Sequence, residues 1–185
     1  MSQPTIEDRI RRIEDRQEIT DLQARYVLAI DLHDLESIAP LFAREGRFRS
    51  ADGVMDAVGR DAICNQFRDR FKSLGFGLHV THDNLVVLDP NDRDRARGTV
   101  SSHAEVVRDG RPMIVAMRYA DSYCREDGVW RFADRVLRFF YYLPIDEYLT
   151  AIDTRQRMRA YGDERDADLP ESAATFTVPV TRDTI

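Results

Sequence analysis

Two Asp-Gly pairs constrain the fold of this chain more than any other feature of its sequence. Asp109-Gly110 and Asp127-Gly128 are dipeptides typical of tight β-hairpin turns, because both residues tolerate a positive φ. Segments rich in β-branched and aromatic residues flank these turns, at 95–108, 112–124 and 129–142. A fourth segment, 78–88, alternates at a period of two residues. The second half of the chain is therefore predicted to form four long antiparallel strands.

The first half of the chain has a helical period instead. Residues 5–30 lack Gly and Pro and carry apolar residues at helical spacing. Asp34 is placed to cap a second helix that reaches Phe42, and a short strand is expected over 47–50. Three helices followed by four antiparallel strands predict an α+β fold, with the helices covering one face of a curved sheet.

The third helix and its boundaries follow from glycine and aromatic positions. Gly59 opens this helix, which runs to about Lys72 with a buried stripe at spacing four, formed by Ile63, Phe67 and Phe71. Gly75 and Gly77 are expected to end it. The first 152 residues are predicted to form one domain, and residues 153–185, which are poor in apolar residues, a tail that is flexible or contacts another subunit.

Composition and charge exclude several classes of function. The formal net charge of −6 argues against a nucleic-acid surface, which needs a basic face. No apolar run approaches the length of about 20 residues that spans a membrane, and the charged N-terminus lacks a signal-peptide pattern. We therefore expect a cytoplasmic protein. Cys64 and Cys124 share no metal-ligand spacing, and we expect buried free thiols.

Asp31 is the residue that most conflicts with its local context. It follows the apolar run Val27 to Ile30, at the expected C-terminus of the first helix. There the helix macrodipole disfavours a negative charge by a few tenths to about 1 kcal/mol. A residue placed against local physics often marks a functional site. The alternatives are that Asp31 caps the second helix or pairs with an arginine.

The sequence resembles a known family along residues 5–142. The resemblance is carried, in order, by RYVLAIDLHDLESIAPLFAREGRF, GRDAICNQFRDRF, LHVTHDNLVVLD, RARGTVSSHAEVV and MRYADSYCREDGVWRFADRVLRFFY. These segments resemble the SnoaL-like branch of the nuclear transport factor 2-like superfamily. The resemblance implies a cone-shaped α+β barrel, in which a curved antiparallel sheet wraps around three N-terminal helices and a pocket opens in the mouth. Family members include dehydratases, isomerases, polyketide cyclases, a dehydrochlorinase and non-catalytic proteins.

The resemblance also implies a catalytic group of residues. Asp31 matches an aspartate that pairs with a catalytic histidine in the dehydratases, and Tyr26 matches a pocket tyrosine. Both His79 and His82 lie on the strand that carries this histidine. We assign His82 as the base, because of its context after Thr81 and because it shares a strand face with apolar residues, and His79 as a substrate contact. His103 is a candidate for a second pocket histidine.

Four further residues complete the expected substrate contacts. Arg135 lies near the position of a pocket arginine in the dehydrochlorinase, although a surface ion pair fits it equally. Phe48, Met117 and Tyr119 are also expected to contact the substrate. The stripe that contains Met117 and Tyr119 fits a core or an oligomer interface as well. The spacing of His and carboxylate residues suggests no metal site, and no cofactor is expected.

These observations favour a cofactor-independent lyase or isomerase of the dehydratase type. A histidine paired with aspartate suits abstraction of a proton next to a carbonyl, and the expected substrate is a hydrophobic ring compound that carries one. Two alternatives stay open: a non-catalytic binding or assembly module, and the small β-subunit of a ring-hydroxylating dioxygenase. Both faces of 112–119 are apolar, so a homo-oligomer, either a dimer or a trimer, is expected. No nucleic-acid or membrane partner is expected.

Overall fold

A six-stranded sheet forms the frame of the structure, a computed structural model that describes residues 3–177. The strands are β1 (Phe42–Ser50), β2 (Asp56–Val58), β3 (Leu74–Leu88), β4 (Arg95–Arg108), β5 (Arg111–Glu126) and β6 (Val129–Pro144). The helices are α1 (Ile6–Asp31), α2 (Leu35–Ile38), α3 (Arg60–Phe71) and α4 (Tyr148–Ala151), with 3-10 turns at Ala39–Leu41 and Ile145–Glu147. No helix within 3–177 is long and apolar enough to cross a membrane.

The strand order is β2-β1-β6-β5-β4-β3, and the α+β prediction is confirmed. Both predicted hairpins form, and the turn residues Asp109 and Asp127 have φ values of 50° and 54°. The expected all-antiparallel sheet is wrong in one respect, because β1 pairs with β6 in parallel. The sheet is therefore mixed. It curves but does not close into a barrel.

Several predicted boundaries shift for local reasons. The first strand begins at Phe42 rather than at residue 47, so the second helix shortens to α2 and a 3-10 turn. Asp34 does cap α2, since its Oδ1 accepts a hydrogen bond from the Ser37 N–H at 3.0 Å. Gly75 and Gly77 do not end α3; they lie in β3, because that strand extends over 15 residues to pair with β4.

A bulge in β3 determines which side chains face the interior. Thr81 pairs with Ser102, but the next pair is Asn84 with Val100, so β3 contains one extra residue between the two pairs. The bulge reverses the side-chain alternation along the strand. His79 and Thr81 face inward before it, and Val86 and Leu88 face inward after it. The expectation that one strand face holds Leu78, Val80, His82, Val86 and Leu88 is therefore wrong.

Helices α1 and α3 cover the concave face of the sheet and build an aromatic core there. A capping box between Thr5 and Asp8 fixes the start of α1, with the Asp8 N–H donating to Thr5 Oγ1 at 3.1 Å. Deeper in α1, Tyr26 packs edge-on against Phe42 and Tyr119, with ring centroids 6.3 and 6.0 Å apart. This core holds the C-terminal end of α1 against the sheet.

The segment after α4 packs on its own chain. Met158 forms a bridge with Tyr142 of β6, and Arg157 donates hydrogen bonds to the Leu169 carbonyl and the Glu171 carboxylate, both at 2.8 Å. Met158 and Leu169 are buried. Residues 153–177 therefore pack on their own chain rather than extend from it as a flexible tail, contact of this segment with another subunit stays a prediction, and 178–185 lie outside the described residues. The predicted domain boundary at 152 stays a prediction.

Candidate functional site

Asp31 and His79 form a hydrogen-bonded pair where the end of α1 meets β3. The Nδ1 atom of His79 lies 2.6 Å from Asp31 Oδ1, and both side chains are 16% exposed. The backbone N–H of His79 also donates to the Asp31 carboxylate, at 3.0 Å to Oδ2 and 3.2 Å to Oδ1. Because an ionised carboxylate only accepts hydrogen bonds, Nδ1 carries the proton and Nε2 is left as the basic nitrogen.

The local fold explains how Asp31 is held at the end of a helix. His33, with a φ of 54°, ends α1 in the left-handed conformation and turns the chain toward α2. Asp31 is the last residue of α1, where the macrodipole disfavours its charge. The hydrogen bonds from His79 offset this cost, because bonds to charged groups contribute roughly 1.5–3 kcal/mol each.

His79 lines a small cavity between the helices and the concave face of the sheet, which we call the inner cavity. Its volume is about 50 Å³, room for a few water molecules. Its walls are Tyr26, Ile30, Phe48, Phe67, Arg70, Phe71, Leu74, His79, Val106, Val115, Met117, Tyr119, Leu137, Phe139 and Tyr142. Four of the expected substrate or catalytic contacts, Tyr26, Phe48, Met117 and Tyr119, thus lie with His79 around one space.

Two phenols of the inner cavity remain protonated at neutral pH. Burial raises the pKa of Tyr119 to about 12, and burial also raises the pKa of Tyr26 far above its usual value near 10. Arg135 opposes both shifts, since a cation favours a phenolate. Both hydroxyls therefore keep a proton to donate, and that of Tyr119 donates to the Met117 sulfur, a weak acceptor, at 3.2 Å.

Arg135 is a buried structural cation rather than a residue of the cavity wall. Its guanidinium is 1% exposed and makes a bidentate ion pair with Asp121, with both nitrogen–oxygen distances at 3.0 Å. Its central carbon lies 4.0–4.2 Å from the ring centroids of Tyr26, Tyr119 and Phe132. Arg135 is not among the residues that line the inner cavity. Its cation–π contacts with Tyr26 and Tyr119 stabilise these two tyrosines of the cavity wall.

The structure separates His82 and His103 from Asp31. Both histidines lie exposed on the convex face of the sheet, and His82 Nε2 is 2.8 Å from His103 Nδ1. The predicted pairing of Asp31 with His82 is therefore wrong, because the β3 bulge brings His79 to the interior and leaves His82 outside. The placement of His103 in the same pocket is wrong as well. No group of three or more His, Cys, Asp and Glu within 3–177 is arranged to hold a metal ion.

Of the polar residues in the cavity wall, Arg70 is not predicted from the sequence, and Tyr142 is left open between rimming the pocket and shielding the end of its strand. Arg70 lies on α3, one residue before Phe71, in a run of mixed charges that reads as a solvated surface. Tyr142 lies near the end of β6 and is 4% exposed. The only signal for either residue is its position near predicted buried residues, which does not distinguish a cavity wall from the surface.

Comparison with known families and structures identifies the fold. A family model described as a SnoaL-like domain matches residues 11–136. No curated protein sequence matches the chain. Among solved structures, a hexachlorocyclohexane dehydrochlorinase from Novosphingobium barchaimii is 18% identical; the match covers 74% of this chain and 93% of the other, with a TM-score of 0.66.

Two proteins from Novosphingobium aromaticivorans give similar matches. One, provisionally named a scytalone dehydratase, is 20% identical over 72% of this chain and 89% of its own, with a TM-score of 0.65. The other, provisionally named an aromatic ring hydroxylase, is 25% identical over 69% of this chain and 90% of its own, with a TM-score of 0.64. Together with the family match, these similarities show that the chain belongs to the SnoaL-like domain family, within the nuclear transport factor 2-like superfamily.

Proposed function

We propose that this protein is a cofactor-independent lyase or isomerase that removes a proton next to the carbonyl of a hydrophobic ring compound. The observation that supports it most is the Asp31–His79 pair at the wall of the inner cavity, with Nδ1 and Oδ1 2.6 Å apart. His79 is the general base, and Asp31 is the residue that positions it. The family assignment is consistent with this class of reaction, since a dehydrochlorinase shares the fold.

The proton transfer follows from the tautomer that Asp31 imposes. Nε2 of His79 takes the proton from the carbon next to the carbonyl, and the electron pair of the broken C–H bond moves onto the carbonyl oxygen as an enolate. Asp31 stabilises the imidazolium that forms. In a lyase the enolate electrons then form a double bond to the adjacent carbon, and the leaving group departs from that carbon with its bonding electrons and takes the proton from His79. An isomerase instead returns the proton to a different carbon.

The enolate needs hydrogen-bond donors, and the cavity tyrosines meet this need. Tyr26 and Tyr119 both line the inner cavity, and both keep their hydroxyl protons at neutral pH. A preorganised donor in a site that excludes water typically contributes about 2.7–4 kcal/mol of transition-state stabilisation. The apolar remainder of the wall suits the body of a ring, including Ile30, Phe48 and Phe67.

The volume of the inner cavity favours one alternative. Pockets for ligands of drug size usually measure about 300–1,000 Å³. The cavity of about 50 Å³ is smaller, so catalysis requires the wall to open around the substrate. A non-catalytic module with a nearly filled interior needs no such opening and is the second candidate. The two candidates differ in whether the protein catalyses proton transfer to and from the ligand.

Exchange of hydrogen for deuterium tests the proposal without knowledge of the natural substrate. The protein is incubated with 2-tetralone in heavy water, and loss of the proton signals next to the carbonyl is followed by NMR. We expect exchange above the buffer rate, and we expect Asp31→Asn to reduce the protein-catalysed rate by about 100-fold. An amide neither stabilises the imidazolium nor fixes the Nδ1–H tautomer as a carboxylate does.

Asp146→Asn is the matched control, because the Asp146 carboxylate is 71% exposed and pairs with Arg111 at the surface. This variant should exchange protons at the wild-type rate. Exchange by Asp31→Asn at the wild-type rate contradicts the role of the pair. Binding of the ketone by the wild-type protein without any exchange favours the non-catalytic module.

A further inference from the structure

Buried polar atoms without partners cluster beside the inner cavity. Within 3–177, six buried side-chain nitrogen or oxygen atoms have no hydrogen-bond partner. Four of them belong to Gln66, Arg108, Tyr142 and Tyr161. Gln66, Arg108 and Tyr161 line a groove of about 680 Å³, while Tyr142 lines the inner cavity. Buried polar groups are nearly always satisfied, so a local cluster of exceptions calls for a ligand or ordered water.

Arg70 lies at the boundary between the two spaces and lines both of them. We call the groove, lined by residues 54–58, 62, 65, 66, 69, 70, 73, 108 and 161, the Arg70 groove. In the part of the chain that the structure describes, no carboxylate lies within 4.0 Å of the Arg70 guanidinium. Its side-chain hydrogen bond goes to the Met55 sulfur, a weak acceptor. Among the described residues, Arg70 is thus a half-buried cation without a close counter-ion.

The acidic residues of the groove do not neutralise this charge. Asp56 accepts hydrogen bonds from Arg47, with Nε and Oδ1 2.7 Å apart, and Asp69 accepts one from Lys72 at 2.6 Å. Arg108 lies 3.8 Å from Asp109, whose carboxylate is 72% exposed and whose attraction is therefore weakened by solvent. The groove lining thus holds two arginines and two aspartates, but both aspartates are already paired with Arg47 and Lys72, which lie outside the lining.

Tyr142 lines the inner cavity, near Arg70 and Arg108. Burial raises the pKa of its phenol, while the nearby Arg108 and Arg70 lower it, so the hydroxyl stays a donor at neutral pH. Burial raises the pKa of Tyr161 in the same way. Donors from two arginines, two phenols and the Gln66 amide therefore line two spaces, the inner cavity and the Arg70 groove, which share Arg70 in their walls.

We propose that the substrate carries a carboxylate, which binds to Arg70 and Arg108 in the Arg70 groove while its ring and carbonyl occupy the inner cavity beside His79. Arginine matches the planar geometry of a carboxylate and forms paired, charge-assisted hydrogen bonds with it. The carboxylate supplies the counter-ion that Arg70 lacks and acceptors for the unpartnered donors. This inference rests on the proposed function, because it describes the same site, and it narrows the substrate class to ring ketones that bear an acid.

A pair of matched ligands tests this inference by binding alone. The dissociation constants of a 2-tetralone with a carboxylate on its aromatic ring and of the corresponding carboxamide are measured by isothermal titration calorimetry. The wild-type protein should bind the carboxylate at least about tenfold more tightly, because hydrogen bonds to charged groups contribute roughly 1.5–3 kcal/mol. Arg70→Gln should weaken binding of the carboxylate about tenfold and leave the carboxamide unchanged, while Arg70→Lys should retain part of the preference.

Arg118→Gln is the control, because Arg118 is exposed and packs over Phe140, 5.0 Å from the ring centroid. It should keep the full preference. Equal affinities in the wild-type protein, a preserved preference in Arg70→Gln, or no binding of either ligand overturns the inference. If Arg70→Gln does not fold, Arg108→Gln carries the same test. Failure of the proposed function is distinguishable, since it would appear as absent proton exchange while the carboxylate preference persists.

Discussion

At the scale of single residues, Asp31 is placed against the local preference of its position in the helix. Asp31 carries a negative charge at the end of α1, and two hydrogen-bonding groups of His79 compensate for it. The sequence alone identifies Asp31 as unusual, because the expected macrodipole penalty needs no tertiary information. It does not identify the partner, since the choice between His79 and His82 depends on which way β3 faces.

Arg135 is a second residue whose partner the sequence does not identify. The sequence pattern fits both a pocket residue and a surface ion pair. In the structure Arg135 has neither role, because it pairs with Asp121 in the core. Breaking such a buried pair typically costs about 3–5 kcal/mol, because the remaining charge is left without compensation. Its contact with Tyr26 and Tyr119 makes the site depend on a residue that does not touch the inner cavity.

At the scale of secondary structure, local signals predict the hairpins well and the bulge not at all. The Asp-Gly turns require positive φ, which a dipeptide reveals, and they set the β4–β5 and β5–β6 registers. The bulge at Thr81–Asn84 has no glycine or proline to mark it. Contacts with β4 and α1 fix its position, including a hydrogen bond from Asn84 to Thr20 at 3.2 Å. For this reason the sequence predicted the wrong histidine as the partner of Asp31.

Gly46 of β1 provides a test of how tightly the sheet is packed near its parallel pair. A Cβ atom at this position would lie 2.9 Å from the Phe132 carbonyl oxygen and 3.0 Å from the backbone of Ala43. Backbone atoms cannot move as a flexible side chain does. We therefore expect Gly46→Ala to lower the free energy of unfolding by about 1–3 kcal/mol in urea denaturation.

Gly75→Ala is the matched control in β3, because the nearest atoms to its added Cβ lie 3.8 Å away, at ordinary contact distance. Its free energy of unfolding should stay within about 0.5 kcal/mol of the wild-type value. Equal stability of the two variants would show that the junction of β1 and β6 is looser than the structure indicates.

At the scale of the whole molecule, one curved sheet presents a site on its concave face and apolar side chains on its convex edge. Phe76, Leu78, Val80, Leu85 and Val87 of the edge strand β3 are exposed. Such a strand can pair with another chain. The expected homo-oligomer, the association with a larger dioxygenase subunit and the cytoplasmic location all stay predictions.

Stability of the whole molecule should fall steeply in alkali. Burial raises the pKa of Tyr26, Tyr119 and Tyr123, to about 12 for Tyr119, whereas tyrosine in an unfolded chain titrates near 10. Below pH 10 the phenols are protonated in both states. Between pH 10 and 12 the unfolded chain loses these protons first, so each buried tyrosine lowers the free energy of unfolding by up to about 1.4 kcal/mol per pH unit.

Urea denaturation at a series of pH values from 8 to 12, with phenolate absorbance as a second signal, measures this slope. Tyr119→Phe should decrease the slope above pH 10, because it removes one of the buried phenols. A slope that is the same for the wild-type protein and Tyr119→Phe would contradict the burial of that hydroxyl in the folded state.

The central claim is that His79, held by Asp31, is the base of the inner cavity. The most direct measurement compares His79→Gln and His82→Gln in the exchange of 2-tetralone protons with heavy water. Glutamine is neutral and similar in size to histidine in both variants. If His79 is the base, His79→Gln should lose the protein-catalysed exchange, by about 100-fold or more, while His82→Gln should stay within about twofold of the wild-type rate. Retained exchange in His79→Gln, with loss in His82→Gln, would contradict this claim.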